Sequence, residues 1–299
     1  MLLAVNTLKR MAARWLPARA LAAVRKRHRR RAAAARLQAR QAHIATHGTA
    51  DASELADALR ALGVRSGGVL LVQSSFNDLF TFSGRPIDLL NALRALVGPD
   101  GTLLMPAYTV DAPARGELPL DVASLPTYTG IVNELFRRSP GVLRSLHPRH
   151  SLCGEGPLAA ELLDGHERLL YADGPGSPFD RLRQRDDAQI LTLGLPPAFT
   201  SFLHWVEDIE PGHLPFSVHQ KQPKHYVVRG ADGRPVDVRD MQVRPEVAAR
   251  IDLARLSAAL GANVFLSVTH RGIACGLYAV KPLSRELLAL RDKGIFHYH

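Results

Sequence analysis

The sequence predicts an α/β domain, a central sheet flanked by helices on both faces, preceded by a basic helical extension. Three observations predict it. The runs GGVLLVQSS (67–75), TLLMPAYT (102–109) and AQILTLGLP (188–196) are short, almost wholly apolar and free of alternation, as strands buried on both faces are. Helical patterns separate them, which is the alternation of a sheet covered by helices. The charge is also uneven: twelve of the 38 Lys and Arg fall in residues 1–50, where no Asp or Glu occurs. The other 249 residues hold 26 basic against 28 acidic groups, so the net charge of +10 belongs to the extension and not to a nucleic-acid-binding body.

The extension comes first. Residues 1–46, rich in Ala, Leu and Arg with Trp15 and Pro17, read as one or two amphipathic basic helices. Residues 1–48 are assigned to this extension and 49–299 to a single folded domain. Against an anionic lipid surface each basic residue of RKRHRRR (25–31) contributes ~1 kcal/mol, which would place the protein at the inner face of a membrane. The competing readings are a solvated arm and a translation start at Met11 or later. Lys9, Arg10, Arg14 and Arg19 interrupt what a secretory signal would keep apolar, and no run approaches a membrane span. Cys153 and Cys275 are too few for a disulfide framework, so a cytoplasmic location is expected.

From Thr49 the pattern is that of a folded domain. THGTADASELADALRALGV (46–64) has Asp51 or Ser53 as a cap and Leu55, Leu59 and Leu62 at helical spacing. A second helix, RPIDLLNALRALVGPDG (85–101), ends in Gly-Pro-Asp-Gly and precedes the second strand. Residues 110–127 are expected to form a loop over the sheet. GIVNELFRRSPG (130–141) is a helix stopped by Pro140-Gly141, and SFLHWVEDIE (201–210) a helix after the third strand. Between 218 and 240 two β-rich runs flank Gly-Ala-Asp-Gly, a hairpin pattern, and a last helix covers roughly 282–292.

Three segments carry residues suited to chemistry. RSLHPRHSLCGEGP (144–157) places His147 and His150 around Pro148, which opposes a regular helix aiming both at one metal. A zinc site wants three or four ligands, and Cys153 is the only nearby supplement. His204 and Glu207 share a face at helical i, i+3 spacing, where a carboxylate can fix the tautomer of an imidazole and raise its basicity; an exposed ion pair is the plainer reading. GPGSPFDRL (174–182) is a Gly-Pro loop that can bring backbone N–H groups to an anion or serve as an ordinary turn.

Taken in order, GGVLLVQSSF, DLLNALRALVGPDGTLLMPAYT, TGIVNELFRRSPGVLRSLHPRHSL, GPGSPFDRL and ILTLGLPPAFTSFLHWVE resemble the aminoglycoside 3-N-acetyltransferase family, which is unrelated in fold to the GNAT enzymes. The resemblance runs from about Ser53 to Leu290. It implies acetyl transfer from acetyl-CoA, without a metal, to an amine on a sugar-like acceptor. It implies His147, before Pro148, as the general base, with His204 and Glu207 supporting the site. Ser74, Ser75, Met105, Ser177, Pro178 and Phe179 are the positions it assigns to CoA. Gln73 stands where the family pattern has a histidine.

The acceptor is left open between an aminoglycoside and another amino sugar, the latter nucleotide- or lipid-linked in cell-surface glycan assembly. Asp111, Glu117, Asp121, Asp173, Glu207, Asp208 and Glu210 are the acidic residues near the motifs that could attract a cationic acceptor. Two other classes compete: a zinc hydrolase built on His147, His150 and His204, and an inactive CoA- or glycan-binding protein.

Overall fold

All six residues of β1 (Val69–Ser74) are buried, and alternate side chains feed two different cores. Leu70 and Val72 pack with Leu55 and Leu59 of α2 (Ala52–Leu62) and with Leu89, Leu90 and Leu93 of α3 (Pro86–Val97). Val69 and Leu71 point the other way, toward Leu283 and Leu287 of α10 (Val280–Asp292). A strand sandwiched in this way has no polar face, which explains the unbroken apolar run in sequence. The computed structural model describes residues 18–109, 119–196, 199–261 and 264–298.

The main sheet has seven strands in the order β3-β4-β2-β1-β5-β9-β8. β2 (Thr102–Pro106) and β5 (Ala188–Leu193) run parallel to β1 on its two sides. The β1–α3–β2 segment is therefore the strand–helix–strand unit that parallel neighbours require. Beyond β2 lie β4 (Leu152–Glu155) and β3 (Leu143–Arg144), each antiparallel to its neighbour. Beyond β5 lie β9 (Ile273–Ala279) and β8 (Phe265–His270), also antiparallel. A second sheet pairs β6 (Lys224–Arg229) with β7 (Pro235–Asp240) across Gly230–Gly233, matching the hairpin expected there. It closes its own small core of Val122, Tyr226, Val228 and Val238.

Local chemistry fixes the ends of these elements. Asp51 accepts hydrogen bonds from the Ser53 and Glu54 amides at 2.8 and 2.9 Å, and Glu54 accepts one from the Asp51 amide at 3.0 Å. That reciprocal cap starts α2, and Gly63 ends it at φ 110°. α4 (Ile131–Arg137), α5 (Ala159–Leu163) and α6 (Pro178–Arg183) cover the flanks of the sheet. Where one helix was expected over 201–210, there is a 3₁₀ turn, Ser201–His204, followed by α7 (Trp205–Ile209). Two short helices, α8 (Pro245–Ala248) and α9 (Leu253–Ala259), precede β8.

Residues up to Gly48 form a separate unit. Its described part is one helix, α1 (Ala18–His47), about 45 Å long at 1.5 Å per residue. Trp15, Pro17 and Met11 lie outside the described residues, as do Asp111, Glu117 and the first part of the expected 110–127 loop. Among the described residues no helix is long and apolar enough to cross a membrane.

Candidate active site

The three parallel strands end at one cavity of about 580 Å³. Gln73 and Ser74 close β1 and Ser75 follows them, Pro106 closes β2, and Leu195 follows β5; all line it. This is the crevice outside the carboxyl ends of the strands, where open α/β sheets bind ligands. Ser201, Leu203 and His204 of the 3₁₀ turn form one wall, with His297 beside them. Tyr108 and His150 form another, their rings 5.0 Å apart. Tyr128, Ile131, Phe199 and Ile251 line the cavity and are exposed.

His204 is the titratable centre. Its Nδ1 lies 2.8 Å from Glu207 Oε1, and the other carboxylate oxygen lies 3.2 Å from His297 Nε2. Glu207 is 2% exposed, whereas the His204 side chain keeps 28% of its surface open. Burial disfavours a charged imidazole, but the Glu207 carboxylate outweighs it and pushes His204 up to about 9. Burial likewise opposes ionisation of Glu207, and the charge and hydrogen bond of His204, with His297 behind, hold the carboxyl far below its usual range. A glutamate bonded to Nδ1 leaves Nε2 as the free nitrogen of His204.

His150 also lines the cavity, with Nδ1 3.4 Å from Asp173 Oδ2. Behind it Asp208 Oδ2 accepts from the Asp173 amide at 2.9 Å, and Asp208 Oδ1 lies 2.7 Å from His219 Nε2. Burial and the neighbouring charges of Asp173 and Glu207 push Asp208 up to about 6. Of the expected acidic residues, Asp173, Glu207 and Asp208 thus form a buried layer behind the histidines, while Asp121 and Glu210 are exposed. Among the described residues no carboxylate lines the cavity itself.

His147 stands elsewhere than its expected role requires. It is fully buried, does not line the cavity, and its Nδ1 accepts from the Arg149 and His150 amides at 3.3 and 3.0 Å. Its Nε2 lies 3.6 Å from Asp240 Oδ1, and its ring stacks on His166 at 4.8 Å. Burial pulls it down to about 3, with Asp240 opposing only in part. A neutral imidazole whose acceptor nitrogen is taken by backbone amides has no lone pair to offer an amine. The structure brings His204 and Glu207 together and leaves His147 out.

The expected zinc trio of His147, His150 and His204 does not assemble either. Among the described residues the group that could hold a cation is His204, Glu207 and His297, whose donor atoms lie within 4.8 Å of one another. The two cysteines do not supply a nucleophile: both are buried, which pushes Cys153 up to about 12 and Cys275 to about 11.

Of the positions expected to bind CoA, Ser74 and Ser75 line the cavity, and Ser74 Oγ has no partner among the described residues. Met105 is instead fully buried in the first core. Ser177 caps α6, accepting from the Asp180 amide at 3.1 Å, with Pro178 at the first helical position. Phe179 packs on Phe202 at 5.5 Å. Ser177, Pro178 and Phe179 thus belong to the scaffold beneath the wall that carries His204, whereas Met105 packs in the other core.

Sequence reasoning missed Tyr108, Ser201, His297 and Asp240. Ser201 alone had a signal, its i, i+3 spacing from His204. His297 and Asp240 reach their sites through chain reversals far along the sequence.

A sequence model of the family described as aminoglycoside 3-N-acetyltransferase matches residues 71–276. Aminoglycoside N(3)-acetyltransferase IV of Salmonella sp is 35% identical over 188 residues, 62% of this chain and 67% of that protein. Aminoglycoside N(3)-acetyltransferase III of Salmonella sp is 34% identical over 52% of this chain and 59% of its own length. In three dimensions, aminoglycoside acetyltransferase AAC(3)-Xa superposes with a TM-score of 0.74 at 22% identity over 87% of this chain and 99% of its own. AAC-VIa bound to sisomicin gives 0.67 at 26% identity, over 82% and 98%. An AAC(3)-IVa variant in complex with a gentamicin gives 0.67 at 30%, over 83% and 91%. The chain therefore belongs to the aminoglycoside 3-N-acetyltransferase family of acyltransferases.

Proposed function

We propose that the protein transfers the acetyl group of acetyl-CoA to an amine of an aminoglycoside or related amino sugar, with His204 as the general base. The observation that carries this reading is the His204–Glu207 pair at 2.8 Å, set in the wall of the cavity beyond the parallel strands. Sisomicin and a gentamicin are bound by two of its structural relatives.

An amino-sugar nitrogen is mostly an ammonium near neutral pH, and it must lose a proton before it can attack a thioester. The buried carboxylates Glu207, Asp173 and Asp208 make the region favourable to that cation. A bound ammonium beside a charged His204 is repelled, which favours release of one proton, and loss of a second to solvent gives the reactive form, a neutral amine facing a neutral imidazole. His204 Nε2 then takes the amine proton as the N–C bond forms, and returns it to the CoA sulfur as the C–S bond breaks. Glu207 stabilises the imidazolium between these steps. A thioester is already activated, so no acyl-enzyme is needed.

On this reading the protein works in the cytoplasm, with acetyl-CoA as donor. The basic α1 is its proposed contact with anionic lipid. The test is thiol release from acetyl-CoA over a panel of aminoglycosides and other amino sugars, with wild type and His204→Gln side by side. Turnover by the wild type that is retained by His204→Gln would sink the base assignment.

A further inference from the structure

Ser201 is the residue that the proposed chemistry leaves unused on the same wall. It opens the 3₁₀ turn that His204 closes. Side chains three apart on a 3₁₀ helix eclipse one another, separated by roughly 6 Å of rise, so Ser201 and His204 project on one face. Both line the cavity.

The hydrogen bonds of Ser201 fix the direction of its proton. Gln73 and Ser201 meet twice: the Ser201 amide donates to Gln73 Oε1 at 3.2 Å, and Gln73 Nε2 donates to Ser201 Oγ. A backbone N–H can only donate, so the carboxamide oxygen must face it and the NH₂ must face the hydroxyl. Tyr108 Oη donates to the same Oγ at 2.8 Å. Burial, with the Asp173 charge adding to it, raises the Tyr108 phenol well above its ordinary value and keeps it a donor. A serine hydroxyl has two acceptor lone pairs and one donor proton. With both lone pairs occupied, the O–H is left to point at whatever fills the cavity.

We infer that Ser201 is a catalytic residue, its hydroxyl donating a hydrogen bond to the thioester carbonyl oxygen as that oxygen becomes an oxyanion, while Gln73 and Tyr108 are positioning residues that aim the proton. This deepens the transferase reading and rests on it. As the amine nitrogen bonds to the carbonyl carbon, the C=O π pair moves to oxygen, where the Ser201 proton meets it without being transferred. Collapse of the tetrahedral species restores the carbonyl and expels CoA sulfur, which takes its proton from His204. One turn of chain thus supplies the proton acceptor and the oxyanion donor. Hydrogen bonds of about 2.8 Å from each let the nitrogen and oxygen they hold belong to the same carbon. A donor preorganised in this way costs no reorientation at the moment of reaction.

The test uses the full chain and steady-state thiol release with an amine that the wild type acetylates. Ser201→Ala should lower kcat by about 10²- to 10³-fold with the KM for acetyl-CoA nearly unchanged. Its pH–rate inflection should stay where it is, because the His204–Glu207 pair is untouched. Gln73→Glu is the second variant. A carboxylate has no proton to give, so Ser201 would turn its O–H toward it, and kcat should fall as far as in Ser201→Ala. CoA affinity measured by calorimetry checks that each variant is folded. A folded Ser201→Ala enzyme within about threefold of wild-type kcat overturns the inference, as does a loss confined to KM. His204→Gln in the same assay separates the two assignments: if it is near wild type while Ser201→Ala is impaired, the base falls and the donor stands. A wild type that acetylates no amine overturns both.

Discussion

His204 Nδ1 and Glu207 Oε1 stand 2.8 Å apart, with the imidazole open to the cavity and the carboxylate buried behind it. The glutamate cannot reach a substrate that the histidine touches first, so its influence must pass through the ring. His204→Gln should therefore lower kcat by about 10²- to 10⁴-fold, the usual worth of a positioned general base. Stopped-assay turnover at saturating acetyl-CoA measures it, and a loss smaller than tenfold contradicts the assignment.

The pH profile follows from the same pair. His204 is pushed up to about 9, so the neutral base is the minor form at pH 7 and kcat/KM should rise with pH toward that value. In Glu207→Gln the midpoint should move down, toward the ordinary imidazole value of about 6.5, because burial is then opposed only by the weaker pull of Asp173 and Asp208. The sign for stability is opposite to that for rate. A raised imidazole pKa contributes stability that is complete below about 6.5 and lost as pH rises through about 9. Thermal melts of wild type should decline across that window more steeply than those of Glu207→Gln, and parallel curves would contradict the pairing.

His147 belongs to a structural knot. Asp240 is fully buried; Arg149 Nε donates to it at 2.6 Å, Gln242 Nε2 donates at 2.9 Å, and His147 Nε2 lies 3.6 Å away. Asp240→Ala should cost about 3–5 kcal/mol, since it strands the Arg149 charge. His147→Ala should cost about 1–3 kcal/mol by leaving two backbone amides unpaired, with a smaller fall in kcat than His204→Gln. Urea unfolding together with turnover gives both numbers. A fully stable His147→Ala protein with kcat as low as His204→Gln would return the base to His147.

The basic helix makes a separate prediction. Deleting residues 1–46 should abolish flotation with phosphatidylserine vesicles and leave turnover on a soluble acceptor unchanged. Vesicle binding by the wild type should weaken as salt rises. Equal flotation of the truncated and full chains contradicts a lipid-facing role.

The parts of the fold that the sequence reveals are those whose patterning is local. β1, β2 and β5 show as apolar runs because both faces are buried, and α2 shows through the Asp51–Glu54 cap. The β8–β9 hairpin does not show, because its turn is Arg271-Gly272 with φ of 48° and 78°. A tight turn of this kind normally carries Asn or Asp at its first position. β3 and β4 are hidden by the loop they flank: a histidine–proline segment reads as irregular although its ends pair. At the site, spacing marks His204 and Glu207, since three residues of helix suffice to join them. What spacing cannot show is direction. The histidine–proline segment places His150 at the cavity and turns His147 inward, and only the amides of residues 149 and 150 decide which.

The rim of the cavity is built differently from its floor. Gln73, Ser74, Pro106 and the Ser201–His204 turn are held by the sheet and the cores, whereas Tyr128, Phe199 and Ile251 lie outside any helix or strand and are exposed. Selection can therefore exchange the rim residues at little cost in stability, while any change to the floor disturbs packing and chemistry together. A lineage carrying this scaffold can drift from one amine to another by surface substitutions alone. Acceptor range, on this architecture, is an evolvable trait riding on a fixed acyl-transfer engine.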